Sequence, residues 1–509
     1  MRAGWHVHDG AGMECECYEG GGGGGGGGDG RDLCQATAAG RQRQRILMVS
    51  DFFYPNFGGV ENHIYFLSQC LIRRGHKVVV ATHTYGGGRT GVRYVSGGLK
   101  VYYLPRLAFY LQSVFPTFYG TFPLLRVIML RERITLLHAH QAFSCLGLEA
   151  LLQARTMGYK VVFTDHSLFG FADAASVHMN KVLKFVLADV HHVICVSHTS
   201  KENTVLRSGL PAQRVSVIPN AIDTSAFKPD PSRRKEGVIT IIVISRLVYR
   251  KGIDLLVEVI PQVCNLHPNV EFLIGGDGPK RVRLEEMREK WGLERRVEMV
   301  GEVPHARVRE VLVRGHIFLN SSLTEAFCIA ILEAASCGLV TVATRVGGVP
   351  EVLPPGMIVL ADPVPADIVA ALGRAIEMLP TVKPQEMHEQ VRGMYSWQDV
   401  AERTERVYDM VAHAKDDTLL DRLGRYYNCG PWAGKLFCLV AAVGVLLLKF
   451  LEWWQPAKSI EMAPDLNPHS LGGRSRGIRS QDRGTTSLPM VVEEGDPGGE
   501  GAKIAEDGD

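Results

Sequence analysis

Apolar runs and helix-like stretches alternate along the first half of the chain. Runs rich in Val, Ile and Leu predict β-strands at residues 46–49, 77–81, 99–104, 135–138, 160–163, 192–196 and 215–218. Stretches with apolar residues at helical spacing separate most of these strands. This order is typical of a parallel, doubly wound sheet, in which ligands bind beyond the carboxyl ends of the strands.

The same alternation begins again after a polar stretch over residues 221–236, which we interpret as a linker. Strands are predicted at residues 238–245, 270–274, 297–301, 317–319, 339–343 and 357–360, with helices between most of them. We therefore expect an α/β fold with two Rossmann-like domains, residues 45–220 and 237–414, that face each other across a cleft. A helix near residues 397–414 is expected to close the second domain.

A long apolar stretch follows the second domain. Residues 432–454 contain Lys435, Lys449 and Glu452 as their charged residues, and they approach the roughly 20 residues that cross a bilayer. The interpretation is a single transmembrane helix, with a surface helix or a partner-docking helix as the alternative. More cations precede the stretch than follow it, which places the large domain in the cytosol.

A second unusual segment lies at residues 106–133, where aromatic and aliphatic residues are interleaved with arginines. Such a composition suits a segment that rests on a membrane surface. An ordinary buried helix with solvated arginines explains it equally well.

Composition narrows the class of protein. The chain has 509 residues, of which 46% are hydrophobic, and a net charge of +2, which gives no reason to expect nucleic-acid binding. Its 11 cysteines lack paired spacing apart from Cys15 and Cys17, and we interpret them as reduced thiols rather than as disulfides or a metal site. The glycine-rich residues 1–44 and the polar residues 456–509 are expected to be disordered.

Candidate ligand groups follow several predicted strands. Gly58 and Gly59 open a helix after the first strand, and Gly276 and Gly278 lie in a second glycine turn after a strand; such turns let phosphate approach the backbone. His166 follows the strand at residues 160–163 and should face the same cleft as Gly58. Each feature is weak on its own, since a lone histidine is more often structural.

The strongest candidate is the stretch at residues 321–338, which closes a strand and opens a helix. Glu325 and Glu333 lie eight residues apart in it, roughly 12 Å along a helix axis, which is about the span of a nucleotide sugar. The amides of Ala326, Phe327 and Cys328 could face the phosphates of such a ligand. The alternative is an amphipathic helix with one capping and one solvated glutamate.

Cations complete this candidate site. Arg246 and Lys251 lie in a basic loop at the start of a helix in the second domain. They form a clamp for a diphosphate if they face the cleft, and a solvated patch if they do not.

Taken together, these motifs resemble the retaining, nucleotide-sugar-dependent glycosyltransferases of GT-B fold. More closely, the runs at residues 48–61, 163–173, 245–254 and 323–328 are similar to the PIG-A family, the catalytic subunits of phosphatidylinositol N-acetylglucosaminyltransferase. The resemblance covers about residues 45–456, and it extends neither to the glycine-rich N-terminus nor to the tail.

The resemblance implies a function and a role for each candidate. UDP-GlcNAc would bind mainly to the second domain, and GlcNAc would pass to phosphatidylinositol with retention of configuration, as the first step of glycosylphosphatidylinositol (GPI) anchor synthesis. Arg246 and Lys251 would neutralise the diphosphate in place of a metal, so neither a metal nor another cofactor is expected. Glu333 would hold the ribose and Glu325 the donor sugar, with Gly58 and Gly59 on the diphosphate and His166 beside the reacting carbons.

The resemblance also implies a location on the endoplasmic reticulum membrane and several small membrane proteins as partners. Two rival interpretations are open from sequence alone. One is another enzyme of the same fold, such as a mannosyltransferase or a UDP-GlcNAc epimerase. The other is a catalytically silent, membrane-tethered protein that only binds partners, which the intact Glu325, Glu333, Arg246 and Lys251 argue against.

Overall fold

The first half of the chain is built on one twisted sheet. The computed structural model describes residues 43–465 except 87–88, 111, 169 and 171–173. Within this range the sheet has eight strands in the order β10-β9-β8-β7-β1-β2-β4-β3. Its strands are β1 (Arg45–Val49), β2 (Lys77–His83), β3 (Gly91–Val95), β4 (Leu99–Leu104), β7 (Leu136–His140), β8 (Lys160–Asp165), β9 (His192–Cys195) and β10 (Val215–Val217).

This sheet confirms the predicted doubly wound architecture, with one addition. Strand β3 pairs antiparallel with β4 at the edge of the sheet, whereas the other neighbours pair in parallel. The pattern analysis missed β3 because its side chains are mostly exposed, so the strand carries no continuous apolar run. The flanking helices are α1 (Gly59–Arg73), α2 (Phe122–Arg131), α3 (Cys145–Thr156), α4 (Ala174–Ala188) and α5 (His198–Ser208).

The second half repeats the architecture with a smaller sheet. Six parallel strands lie in the order β13-β12-β11-β14-β15-β16. They are β11 (Ile239–Ile244), β12 (Val270–Gly275), β13 (Val297–Gly301), β14 (Ile317–Asn320), β15 (Val340–Thr344) and β16 (Ile358–Ala361). The helices are α6 (Ile253–Leu266), α7 (Arg281–Lys290), α8 (His305–Leu312), α9 (Ile329–Ser336), α10 (Pro365–Met378) and α11 (Pro384–Met394).

The closing helix α12 (Trp397–Ala412) packs on the N-terminal domain, which corrects the expectation that residues 397–414 close the C-terminal one. Trp397 stacks on Phe66 of α1 with ring centroids 5.3 Å apart. The hydroxyl of Tyr408 lies 2.7 Å from Nδ1 of the buried His138. The chain therefore crosses back over the cleft, because the apolar face of α12 is buried in the core around β1 and α1.

The apolar stretch forms helix α14 (Ala433–Trp454), which follows the short α13 (Leu419–Tyr427). Its 22 residues are long and apolar enough to cross a membrane. One side of α14 lies against the N-terminal domain: Phe437 stacks on Phe185 with centroids 4.0 Å apart, and the Tyr119 hydroxyl donates to the carbonyl of Val440 over 2.9 Å. The opposite side exposes Leu436, Leu439, Leu446, Phe450 and Trp453.

The residues just after α14 are ordered, whereas their polar composition predicts a disordered tail from residue 456. Ile460 and Ala463 are buried, and the Ala463 amide donates to the carbonyl of Arg131 over 2.9 Å. The carboxylate of Asp465 contacts Arg45, Lys77 and Arg133 at 2.7–3.0 Å. Opposite charge and a buried apolar contact thus hold residues 456–465 on the N-terminal domain. The predictions of disorder for residues 1–42 and 466–509 lie outside the described residues.

Gln44 falls within the segment predicted to be a disordered N-terminus, yet it is buried at the start of the sheet. Its amide donates to Nδ1 of His76 over 3.1 Å, and its side-chain oxygen accepts from the Thr135 hydroxyl over 2.8 Å. These bonds extend the ordered domain to Gln44.

The aromatic segment at residues 106–133 divides into two parts. Helix α2 is a core helix, with Phe122, Leu125 and even Arg126 buried. The preceding part forms a hairpin of β5 (Ala108–Tyr110) and β6 (Ser113–Val114). Around this hairpin, Leu107, Phe109, Phe115 and Phe118 are 81%, 77%, 62% and 50% exposed. The buried-helix interpretation is therefore right for α2, and the hairpin has the exposed aromatic residues that the membrane-surface interpretation requires.

Two glycines test the docking of α14. A Cβ on Gly434 would lie 2.1 Å from the backbone oxygen of Tyr427, whereas a Cβ on Gly424 in α13 would meet nothing within 4 Å. We expect Gly434→Ala to cost about 1–3 kcal/mol through overpacking. Gly424→Ala, the matched control, should be neutral or gain up to about 1 kcal/mol from helix propensity. Unfolding in detergent solution measures both, and equal stability of the two variants would contradict this packing.

Candidate active site

Two loops of the C-terminal domain meet where parallel strands end. The loop after β11 reaches Gly252, and the loop after β14 begins at Ser321. The Ser321 hydroxyl donates to the Lys251 carbonyl over 2.8 Å, and the Leu323 amide donates to the Arg250 carbonyl over 2.8 Å. Gly252 has φ of +68°, and a Cβ there would lie 1.8 Å from the Ser321 carbonyl oxygen. Only glycine allows this approach, which sets the position of Lys251.

Lys251 and Glu325 form an ion pair across these loops, and the Ser322 hydroxyl donates to the same Glu325 oxygen over 2.8 Å. Burial alone would lower the pKa of Lys251. The neighbouring Glu325 carboxylate outweighs burial, and the pKa of Lys251 is raised. Lys251 therefore stays charged, and a cation and an anion predicted for different parts of the donor lie in direct contact.

Glu325 lies in the loop before α9 and not in its first turn, which corrects the geometry expected from sequence. Helix α9 begins at Ile329 with Cys328 as its N-cap. The axial rise of roughly 12 Å estimated for eight helical residues therefore does not describe this pair, because part of the segment is a loop. Ala326, Phe327 and Cys328 form the end of that loop and are largely buried.

Glu333 lies inside α9 and is 8% exposed. Its Oε1 is 2.9 Å from Nε2 of His305, at the start of α8. The hydrogen bond and the charge of Glu333 raise the pKa of His305. No sequence pattern pointed to His305, because its partner is distant in the chain.

The N-terminal domain faces these groups with the start of α1. A Cβ on Gly59 would lie 3.4 Å from Cδ1 of Ile329, so the predicted glycine pair does reach α9 across the cleft. Glu61 folds back over Gly58, where a Cβ would lie 2.5 Å from the Glu61 carboxylate oxygen. Burial raises the pKa of Glu61, and the charge of Arg246 opposes that rise.

Arg246 is exposed and electrostatically coupled to both Glu61 and Lys251. The structure thus brings Arg246, Lys251 and Glu325 to one end of the cleft, opposite Gly58. Sequence reasoning missed Glu61 as a site residue, although it closes the run at residues 48–61 that carries the resemblance.

Gly276 and Gly278 have a different immediate role from the one predicted. A Cβ on Gly276, where φ is +133°, would lie 1.8 Å from the carbonyl oxygen of Ser245. The Leu247 amide donates to the Asp277 carbonyl over 2.8 Å. The glycine turn therefore packs against the backbone on both sides of Arg246, and holds that loop in place.

His166 belongs to a group of histidines below the cleft. Its Nε2 is 3.4 Å from Nδ1 of His140, and its ring lies edge-on to His63 at 4.7 Å between centroids. Burial lowers the pKa of all of these rings, so they are neutral at pH 7. The Nδ1 of His63 is held 2.8 Å from the side-chain oxygen of Asn220.

One nitrogen each from His63, His140 and His166 lies within 4.8 Å of the others, a spacing that could hold a metal ion. Neutral imidazoles are suitable metal ligands, but the rings of His140 and His166 also satisfy one another by hydrogen bonding. The expectation that the reaction needs no metal therefore stays a prediction.

The loop that carries His166 is fixed by a buried ion pair. Asp165 accepts from the guanidinium of Arg207 over 2.6 Å and from the amide and hydroxyl of Ser167 over 3.0 and 2.7 Å. The position of His166 at the end of β8 is therefore set by the strand, by Asp165 and by the ring of His140.

The chain is similar to known proteins over most of its length. Residues 83–173 match the family model described as PIGA (GPI anchor biosynthesis), and residues 225–392 match that of glycosyl transferases group 1. The phosphatidylinositol N-acetylglucosaminyltransferase protein of this type from Arabidopsis thaliana is 67% identical over 422 residues, covering 83% of this chain and 94% of the relative. The chain belongs to the PIGA family. The human protein of the same name is 55% identical, covering 82% of this chain and 87% of its own.

Among solved structures, the sucrose-phosphate synthase of Thermosynechococcus elongatus superposes with a TM-score of 0.61 at 20% identity, covering 73% of this chain and 100% of that one. At this identity the likeness concerns the fold alone. The GT-B fold and the glycosyltransferase class predicted from sequence are thus confirmed for this PIGA-family member. The roles of individual site residues stay predictions.

The Glu333–His305 pair predicts a pH-dependent stability. A histidine whose pKa is raised on folding adds stability that is fully present below its unfolded pKa and is lost as pH rises through the folded pKa. Glu333→Gln should therefore lower the unfolding temperature more at pH 6 than at pH 9. Glu302→Gln, on the exposed loop just before α8, is the control. A Glu333→Gln loss that is the same at both pH values would mean that His305 is uncharged.

Proposed function

We propose that this chain is the catalytic subunit that transfers GlcNAc from UDP-GlcNAc to phosphatidylinositol with retention of configuration. The observation that carries the proposal is the convergence of Lys251, Glu325 and Arg246 opposite Gly58 in a chain that belongs to the PIGA family over most of its length. The transfer is the first step of GPI-anchor synthesis.

The proposed chemistry follows from the charges at the cleft. As the bond to the sugar breaks, negative charge grows on the departing UDP, and Lys251 and Arg246 are placed to neutralise it. Lys251 is already held by Glu325, so little reorganisation is needed during reaction. The inositol hydroxyl then attacks from the face that UDP leaves, and a phosphate oxygen of UDP takes its proton.

The two carboxylates have separate proposed roles. Glu333, anchored through one oxygen by His305, keeps a second oxygen for the two hydroxyls of the ribose. Glu325 and the amides of residues 326–328 hold the donor sugar. Gly58 and Gly59 approach the diphosphate from the other domain, and His166 lies beside the reacting carbons.

Variants of the three charged residues test this assignment. Lys251→Ala should lower turnover by about 10²- to 10³-fold, the usual cost of removing one preorganised electrostatic contact. Glu325→Gln should also reduce turnover while UDP still binds. Glu333→Gln should instead weaken UDP binding, since the ribose belongs to UDP. Lys280→Ala, which breaks only the partly exposed pair with Asp254, is the matched control and should be near wild type.

The measurements are radiolabel transfer to phosphatidylinositol in membranes that lack the endogenous activity, and calorimetric UDP binding to the assembled complex. GDP-mannose serves as the competing donor. Transfer from GDP-mannose alone would overturn the proposed donor. Loss of UDP affinity in Glu325→Gln but not in Glu333→Gln would reverse the assignment of sugar and ribose.

We further propose a membrane location. Helix α14, the cations before it and the cytosolic supply of UDP-GlcNAc support a single-pass protein of the endoplasmic reticulum with its catalytic domains in the cytosol. The relatives are named as subunits, and we expect small membrane proteins as partners. Insertion of α14 across a bilayer requires residues 456–465 to release Arg131, Arg45 and Lys77.

The hairpin β5–β6 is the proposed second membrane contact, beside the acceptor. It lies at the carboxyl end of β1, where the Val114 amide is 3.4 Å from the carboxylate of Asp51. A phosphatidylinositol headgroup held at this edge would meet the cleft, while Phe109 and Phe115 enter the lipid surface.

Replacing Phe109 and Phe115 with serine should raise the KM for phosphatidylinositol about tenfold or more, because burial of a phenylalanine contributes about 1.5–3 kcal/mol. UDP affinity should not change. The matched control replaces Leu266 and Trp291, which are similarly exposed on the C-terminal domain. Equal effects of both double variants would remove the hairpin from the acceptor site.

A further inference from the structure

A carboxylate of the C-terminal domain caps a helix of the N-terminal domain. The amide of His198, the first residue of α5, donates to Oε2 of Glu351 over 2.6 Å. The amide and hydroxyl of Thr199 donate to Oε1 over 2.9 and 2.7 Å. Amides in the first turn of a helix have no partner within it, and the helix dipole favours an anion at this end. Glu351 therefore supplies from one domain what α5 needs in the other.

The residue before this helix makes a second bond between the domains. Ser197 is buried, and its hydroxyl donates to the carbonyl of Ala326 over 2.7 Å while it accepts from the Ser200 amide over 3.0 Å. Ala326 follows Glu325 in the donor loop. Because a trans peptide is planar and its C=O and N–H point in opposite directions, fixing the Ala326 carbonyl also fixes the direction of the Phe327 amide.

The turn that leads to Glu351 is shaped for this contact. The Gly348 amide donates to the Glu325 carbonyl over 2.9 Å. A Cβ on Gly348 would lie 2.1 Å from the Ala326 carbonyl oxygen and 2.6 Å from the Ser197 hydroxyl. The two domains therefore touch through backbone and short side chains, an arrangement that forms only when they are closed to this distance.

We propose that Ser197 and Glu351 are positioning residues for the donor loop at residues 325–328. Domain closure forms their bonds, and the bonds orient the amides after Glu325, so the closed state and the ordered donor loop are one state. Opening the cleft frees the Ala326 carbonyl and uncaps α5 together. The substrate in this inference rests on the proposed function, whereas the closure contact does not.

Glu351→Ala and Glu351→Gln test the contact in the full chain within its complex. The alanine variant should lower kcat about 3- to 10-fold, the rate equivalent of a lost helix cap, with a smaller change in UDP affinity. The glutamine variant keeps an oxygen acceptor and should recover part of that loss. Thr418→Ala is the control, since Thr418 caps α13 by accepting from the Asp421 amide over 3.2 Å, away from the cleft.

Closure itself is measured by the distance between labels at Leu206 in α5 and Leu266 in α6, both well exposed. Unnatural amino acids carry the labels, with and without UDP. Glu351→Ala should broaden and lengthen the distance distribution, and Thr418→Ala should leave it unchanged although it lowers the unfolding temperature.

An unchanged distance distribution in Glu351→Ala would overturn the inference, as would a kcat loss that Thr418→Ala reproduces at equal loss of stability. The label distances measured without UDP decide the closure contact even if UDP-GlcNAc proves not to be the donor. That result would remove the proposed substrate alone.

Discussion

The close approach of the loop after β11 to the loop after β14 is the contact on which the site depends. Two parallel strands that are neighbours in a sheet end at the same edge, so their loops must share a small volume. Gly252 provides the space, and Lys251 then meets Glu325. Because both charges are largely buried, each requires the other, and the pair fixes the loops from which the remaining donor groups extend.

Prediction from sequence succeeded where the information was local and periodic. The strand runs predicted both sheets, because buried parallel strands are continuous apolar segments. Glu325, Lys251 and Gly59 were found because they lie at strand ends or helix starts, where topology brings residues together. The exposed edge strand β3 carried no such signal.

The failures share a physical cause, which is contact between residues far apart in the chain. Helix α12 has the same periodicity whichever domain it packs on, so its apolar face could not reveal its partner. Residues 456–465 are polar enough to predict disorder, and only their contacts with distant residues, such as the cations around Asp465, make them ordered. His305 and Ser197 were missed because each acquires its role from a partner in another element.

The path of α12 has a mechanical consequence. The chain passes between the domains at residues 218–238 and again at residue 396, where Tyr395 is bonded to Val352 of one domain and Trp397 is stacked on Phe66 of the other. Two bodies joined by two short connections can turn about the line through those connections, but they cannot slide past each other. The cleft therefore opens like a door on two hinges, and its far edge moves most.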